Sequence, residues 1–238
     1  GNKAVDGGNL TFFRNDLFNL QTASYKKFIK NFLGSSEFIR GTTRFCLWIN
    51  DEDFQEAMSF NFISKRIGLV KKMRQESKDR GANELAAKPH QMREMNVADK
   101  LLTVVARVSS ENRPYLPVSI VDNRTIIGDR NFGIYDAPLW NMALIASRLH
   151  WVWIGTVCVR LEMRFSYSNT LGWNTFPVPT LTEQNKTDLT RAAENILLTR
   201  EAHFPATIAD LYDPDTMPAD LRAAHDRNDE IIERIYTG

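Results

Sequence analysis

The sequence has few of the residues that build metal sites and disulfide frameworks. It holds two cysteines, Cys46 and Cys158, and four histidines, His90, His150, His203 and His225. The cysteines lie far apart in apolar surroundings, which predicts buried thiols in a reducing compartment, by default the cytoplasm. No histidine stands at metal-ligand spacing from another His or Cys, so no metal site is expected. Long apolar runs are missing too. Residues 139–159 come nearest, and Asn141, Ser147, Arg148 and His150 interrupt them, which argues against a membrane partner and for a core helix. There is no basic-then-apolar leader, and the chain begins at Gly1 without Met, so it reads as a piece of a larger protein. Neither an internal repeat nor a low-complexity segment is found.

A net charge of +1 conceals an imbalance. Residues 1–180 carry 24 Lys/Arg against 17 Asp/Glu, and residues 181–238 carry 6 against 12. Such a contrast fits a nucleic-acid surface on the first part and another role for the tail, although solvated faces give the same pattern.

Along the chain, Asp6-Gly7-Gly8-Asn9 reads as a turn before a short strand at residues 10–13. Apolar spacing over residues 16–32 predicts one or two helices, and residues 43–49 predict a buried strand. Asp51, Glu52 and Asp53 read as first-turn carboxylates of a helix reaching about residue 80. The second half of that helix is basic, with Lys65, Arg66, Lys71, Lys72 and Arg74 as candidate contacts to a DNA backbone; a solvated basic face is the other reading. Strands follow at residues 101–108 and 115–121. Gly and Pro punctuation predicts a mixed or antiparallel sheet packed against helices, an α+β fold. Asp136 is expected to cap, and Pro138 to open, one long apolar helix through Leu139, Met142, Ala146, Leu149 and Trp153. Thr180 or Thr182 should cap a helix to about Ala202, and Met217-Pro218-Ala219 should open another to about Tyr236. These make a small helical C-terminal domain.

Residues 160–167 alternate with period two. A single strand would put Arg160, Glu162, Arg164 and Ser166 on one face, with Leu161, Met163, Phe165 and Tyr167 on the other. A half-buried strand needs no more than that. The chemistry also suits base reading, because an Arg fork fits guanine O6 and N7 while a carboxylate accepts from the cytosine amine.

Several motifs, in order, are familiar: Asp6-Gly7-Gly8-Asn9-Leu10, Glu37-Phe38-Ile39-Arg40-Gly41, Arg44-Phe45-Cys46-Leu47-Trp48, Ala146-Ser147-Arg148, Arg160-Leu161, Tyr167-Ser168-Asn169-Thr170 and Asn174-Thr175-Phe176-Pro177. Together they resemble the C-terminal region of the MmeI-like DNA adenine methyltransferases, the type IIL restriction-modification enzymes, over nearly the whole chain. The resemblance implies a DNA target recognition domain at residues 1–178 and a helical C-terminal domain at residues 179–238. It implies double-stranded DNA and the parent's methyltransferase domain as partners. Glu162 and Arg164 match the family's Glu-x-Arg pair, whose counterpart Lys-x-Asp selects the opposite orientation of a G·C pair. Ser166 is the third candidate base reader and stands where relatives often carry Arg. Phe45 replaces a frequent Trp, and Gly172-Trp173 replaces a β-branched residue followed by Tyr.

The family's adenine-methylating portion needs an Asn-Pro-Pro-aromatic motif and a Gly-containing loop for S-adenosylmethionine, and this chain has no Asn-Pro-Pro run. Neither an Asp…Glu-x-Lys nuclease core nor a readable Ser/His/Asp triad is found. The expectation is therefore a recognition module without catalysis or cofactor of its own, in a parent that uses S-adenosylmethionine. A structural or protein-interaction domain, and a hydrolase with an unrecognised site, are the alternatives.

Overall fold

The computed structural model describes residues 1–17 and 23–238. The first half contains β1 (Thr11–Phe13), β2 (Ile29–Leu33), α1 (Ser35–Arg40), β3 (Arg44–Leu47), α2 (Phe54–Met58), α3 (Asn61–Gln75) and α4 (Arg80–Glu84). Then come β4 (Leu101–Ala106), β5 (Val108–Ser109), β6 (Val118–Asp122), β7 (Thr125–Ile127), β8 (Asn131–Tyr135), α5 (Trp140–Ile145), α6 (Arg148–Val157), β9 (Arg160–Leu161) and β10 (Arg164–Ser166). The last helices are α7 (Glu183–Ala202), α8 (Ile208–Leu211) and α9 (Ala219–Thr237). The class is α+β, as expected.

The chain divides into two compact units. One contains Gly1–Glu37, Thr42–Val97 and Asn123–Asp129; the other contains Phe38–Gly41, Ala98–Asp122 and Arg130–Gly238. In the first, the sheet order is β1-β3-β2-β7, antiparallel except where β7 runs parallel to β2. The Asp6 carboxylate starts it by accepting N–H bonds from Gly8, Leu10 and Thr11 at 3.1, 2.7 and 2.9 Å. Gly7 and Gly8, at φ +58° and +82°, turn the chain around that carboxylate. The helix expected at residues 16–32 lies partly outside the described residues; the described remainder is two short tight helical turns and then β2.

The basic helix is also segmented. α3 ends at Gln75, and Asp79 caps α4 by accepting from the Ala82 N–H at 3.0 Å. α3 turns Ile63, Ile67, Val70 and Arg74 to the interior, a stripe spaced i, i+4, i+7, i+11. Asp51 is not in a first helical turn: its carboxylate accepts from Lys88 Nζ at 2.5 Å and Gln91 Nε2 at 3.0 Å, and bonds His90 Nε2 at 3.0 Å.

The second unit has an antiparallel sheet, β6-β4-β8, and a small sheet, β5-β10-β9. Its core gathers Val105, Leu116 and Val118 with Met142 to Ile145 of α5 and with Leu189, Ile196, Leu221 and Ile232 of the last helices. The single helix expected from Asp136 is two. Asp136 sits at φ +52° and its carboxylate accepts from the N–H groups of Asp99, Lys100 and Leu101; those bonds hold its pKa below the usual value. Ser147 makes the break. Its buried hydroxyl donates to Leu144 O at 2.7 Å and accepts from His150 N–H at 3.0 Å, ending one helix and capping the next.

α9 covers the break. Its His225 Nδ1 bonds the Ala146 carbonyl at 3.1 Å, and Asn228 Nδ2 donates to the Ala143 carbonyl at 2.9 Å. Those are carbonyls that the end of α5 leaves without helical partners. A carbonyl can only accept, so Nδ1 carries the proton and Nε2 accepts from Tyr212 Oη at 2.8 Å. Thr182 caps α7 by accepting from Asn185 N–H, as one of the two expected threonines. α7 and α9 pack within this unit.

Candidate functional site

The strand expected at residues 160–167 is a β-hairpin. Arg160 pairs with Phe165 and Leu161 with Arg164, leaving Glu162 and Met163 as a two-residue loop. Glu162 adopts φ +58°, the left-handed conformation by which such short loops reverse direction. This alters which side chains share a face. Leu161 now lies opposite Arg164, and the Ser166 N–H bonds Val159 O at 3.0 Å, so one face carries Val159, Leu161, Arg164 and Ser166. Arg160 belongs to the other face, with its guanidinium 4.8 Å from the ring centre of Phe165. The expected apolar row therefore splits: Phe165 and Tyr167 are buried, while Leu161 and Met163 are 51% and 63% exposed.

Glu162 and Arg164 still meet. Arg164 Nη2 donates to Glu162 Oε2 at 2.8 Å, with side chains 48% and 77% exposed respectively. Each can thus swap its partner for a ligand at little cost, because an ion pair in water is worth about 0–1 kcal/mol. Ser166 is half-buried and lies away from the loop, between Val108 of β5 and the β9 side.

The base of the hairpin is fixed by packing. Phe165 meets Trp151 of α6 edge to face at 4.9 Å, and a Cβ on Gly155 would come within 3.3 Å of the Phe165 ring. Beyond β10, Tyr167 donates its N–H to Arg107 O at 2.7 Å and its hydroxyl bonds the buried His150 Nε2 at 3.2 Å. Gly172 is close by: a Cβ there would lie 2.9 Å from the Tyr167 ring. The loop and the face that carries Leu161 and Arg164 are exposed while the root is anchored in the core.

The five candidate backbone contacts on α3 separate. Lys65, Lys71 and Lys72 are exposed, Lys72 at 3.9 Å from Glu76. Arg66 is held inside its unit, over the rings of Phe12 and Phe62 at 4.8 Å each, with Nη1 on Asn9 O at 3.1 Å and Nη2 3.5 Å from Asp16. Arg74 is not available to a phosphate. It is fully buried, and its five donors go to the carbonyls of Val5, Leu85, Lys88, Ala4 and Gln91 at 2.7–3.0 Å. A guanidinium has five N–H groups, so none remains for an external oxygen.

Arg148 bonds inward, with Nη2 on Tyr115 Oη at 3.4 Å and its head within 4.0 Å of Asp226 and Asp229. Among the described residues no group of three His, Cys, Asp or Glu could hold a metal, and no helix is long and apolar enough to cross a membrane.

The sequence matches the MmeI target recognition domain family over residues 1–180 and the MmeI C-terminal domain family over residues 181–238. DNA methyltransferase A of Bacillus subtilis (strain 168) is 38% identical over 239 residues, covering 99% of this chain and 27% of that protein. A solved structure of the type IIL restriction-modification enzyme MmeI in complex with DNA matches 100% of this chain and 32% of its own, with TM-score 0.93 and 32% identity. The chain thus spans about a third or less of each relative. With the family's domains matched end to end, the chain belongs to the MmeI family, as a target recognition domain followed by the MmeI C-terminal domain.

Proposed function

We propose that this chain reads double-stranded DNA for a longer, S-adenosylmethionine-dependent adenine methyltransferase of the restriction-modification kind, and that the β9–β10 hairpin makes the base contacts. The observation that carries the reading is the exposed Glu162–Arg164 pair at the tip of the β9–β10 hairpin, which runs on as a two-stranded ribbon past the pairing of β5 with Phe165 and Ser166. B-DNA's major groove is about 12 Å wide and admits such a ribbon. Arg164 would direct its fork to guanine O6 and N7 while Glu162 accepts from the cytosine amine, so one pair of side chains reads both bases of one pair. Ser166, farther from the loop, would touch only a base or sugar that approaches the ribbon's middle.

Lys65, Lys71 and Lys72 are the proposed phosphate contacts, supplying attraction without sequence preference. Arg66 serves them by stiffening the N-terminal half of α3. Recognition is assigned to residues 1–178, and residues 179–238 to a helical support; the two matched families, which divide at residue 180, favour that division. Methyl transfer, the methyl donor and any nuclease are assigned to the rest of the parent, in the cytoplasm, and its methyltransferase domain is the partner within the chain.

The test is Arg164→Ala and, separately, Glu162→Ala in the full-length protein, with methylated sites mapped. Each variant should relax selectivity at one base pair by about 5- to 150-fold, the loss of about 1–3 kcal/mol of discrimination. A loss spread evenly over all sequences would contradict base reading by this pair.

A further inference from the structure

We infer that Leu161 is a specificity residue, packing on the C5 methyl group of a thymine in the base pair beside the one read by Glu162 and Arg164. The inference rests on the proposed reading of the hairpin and adds a second base pair to it.

The hairpin's register is the starting point. Leu161 and Arg164 are direct cross-strand partners, so their Cβ atoms lie about 4.5–5.5 Å apart on one face of the ribbon. Stacked base pairs are about 3.4 Å apart. With the strands laid across the groove, which is part of this inference, the side chain opposite Arg164 falls about one step from the guanine that Arg164 contacts. Leu161 is 51% exposed there, and Val159, next on the same face, is 68% exposed. Leu161 and Val159 thus put two neighbouring apolar side chains on the face that carries Arg164, where an apolar group of a bound base edge can cover them. In the major groove the one apolar group on a base edge is the thymine methyl.

The face offers complementary chemistry: a charged pair for a G·C edge and a branched apolar side chain for the neighbouring A·T edge. Phe165, the apolar residue on the opposite face, is already covered by Trp151 and Arg160. The unit's core does not need Leu161, so replacing it should leave the fold intact.

The experiment uses the full-length protein and duplexes carrying its recognition sequence, with deoxyuridine replacing thymine at the positions flanking the G·C pair. Uracil keeps the hydrogen-bonding edge and removes only the methyl group. Methylation kcat/KM should fall about four-fold at one flanking position, the worth of one buried methyl-sized group. Leu161→Ser should lose that discrimination, treating thymine and uracil alike, with its melting temperature unchanged. Three results overturn the inference: no thymine–uracil difference at either flank, the difference retained in Leu161→Ser, or a recognition sequence with no A·T pair at either flank. Failure of the underlying reading looks different. If exchanging Glu162→Lys with Arg164→Asp leaves the recognised bases unchanged, the hairpin does not read bases. If the exchange alters one base pair while Leu161→Ser behaves as the parent, the Leu161 assignment alone falls.

Discussion

Arg74 and its neighbours on α3 show how a side chain's type and its position can disagree. As an arginine in a basic stretch it reads as a phosphate ligand, yet it continues the stripe of Ile63, Ile67 and Val70, and that spacing carries it inward. Inside, it knits the N-terminal segment at Ala4 and Val5 to the turn at Leu85, Lys88 and Gln91. Arg74→Met should leave five carbonyls without that donor and cost at least about 3 kcal/mol, whereas Lys72→Met should shift stability by less than about 0.5 kcal/mol. Urea titration of both variants checks the contrast. His150 and His225 make a second case. Burial lowers each pKa to about 3, below the unfolded value of about 6.5. Their contribution is therefore constant above pH 6.5 and falls as pH drops from 6.5 toward 3, at about 1.4 kcal/mol per pH unit for each histidine. Unfolding free energy measured from pH 8 to 5 should be flat down to about 6.5 and then decline; no decline by pH 5 would contradict buried neutral imidazoles.

At the scale of elements, what could be read in advance depended on whether a local signal opposed the periodicity. β3 and β4, α7 and α9 have strong patterns and proper ends, and they form about where spacing puts them. Two of the failures lie where a single polar residue overrides a pattern. Ser147 interrupts an apolar helix because its hydroxyl has both a carbonyl and an N–H to bond, and apolar spacing does not register that. Glu162 reverses a strand with no Asn-Gly or Gly to announce it, so the period-two reading ran through the loop and put Leu161 on the wrong face. The candidate readers Glu162 and Arg164 rest on their chemistry toward a G·C edge and on family resemblance, since alternation alone describes any half-buried strand. Ser147→Ala removes the cap and leaves buried polar groups, and should cost about 1–2 kcal/mol. Thermal melts of that variant beside Thr182→Ala, whose cap bond to the Asn185 N–H is exposed, separate the buried effect from the exposed one.

For the molecule as a whole, the division of labour follows from exposure. A hairpin rooted by Phe165 and Tyr167 presents a charged pair and Leu161 outward, α3 presents lysines, and α9 uses His225 and Asn228 to close the broken helix pair beneath. Phosphate contacts set affinity and base contacts set sequence, so variants of the lysines and of the hairpin should differ in kind. The central claim is that Glu162 and Arg164 orient one G·C pair. Its most direct test is the double exchange Glu162→Lys with Arg164→Asp in the full-length protein, with methylated sites mapped across a genome. A lysine in the carboxylate's place donates to guanine, and an aspartate in the guanidinium's place accepts from cytosine, so the pair should be read in reverse. The account predicts that G·C becomes C·G at one position of the recognition sequence while all others hold. A fully active variant with an unchanged recognition sequence would contradict it.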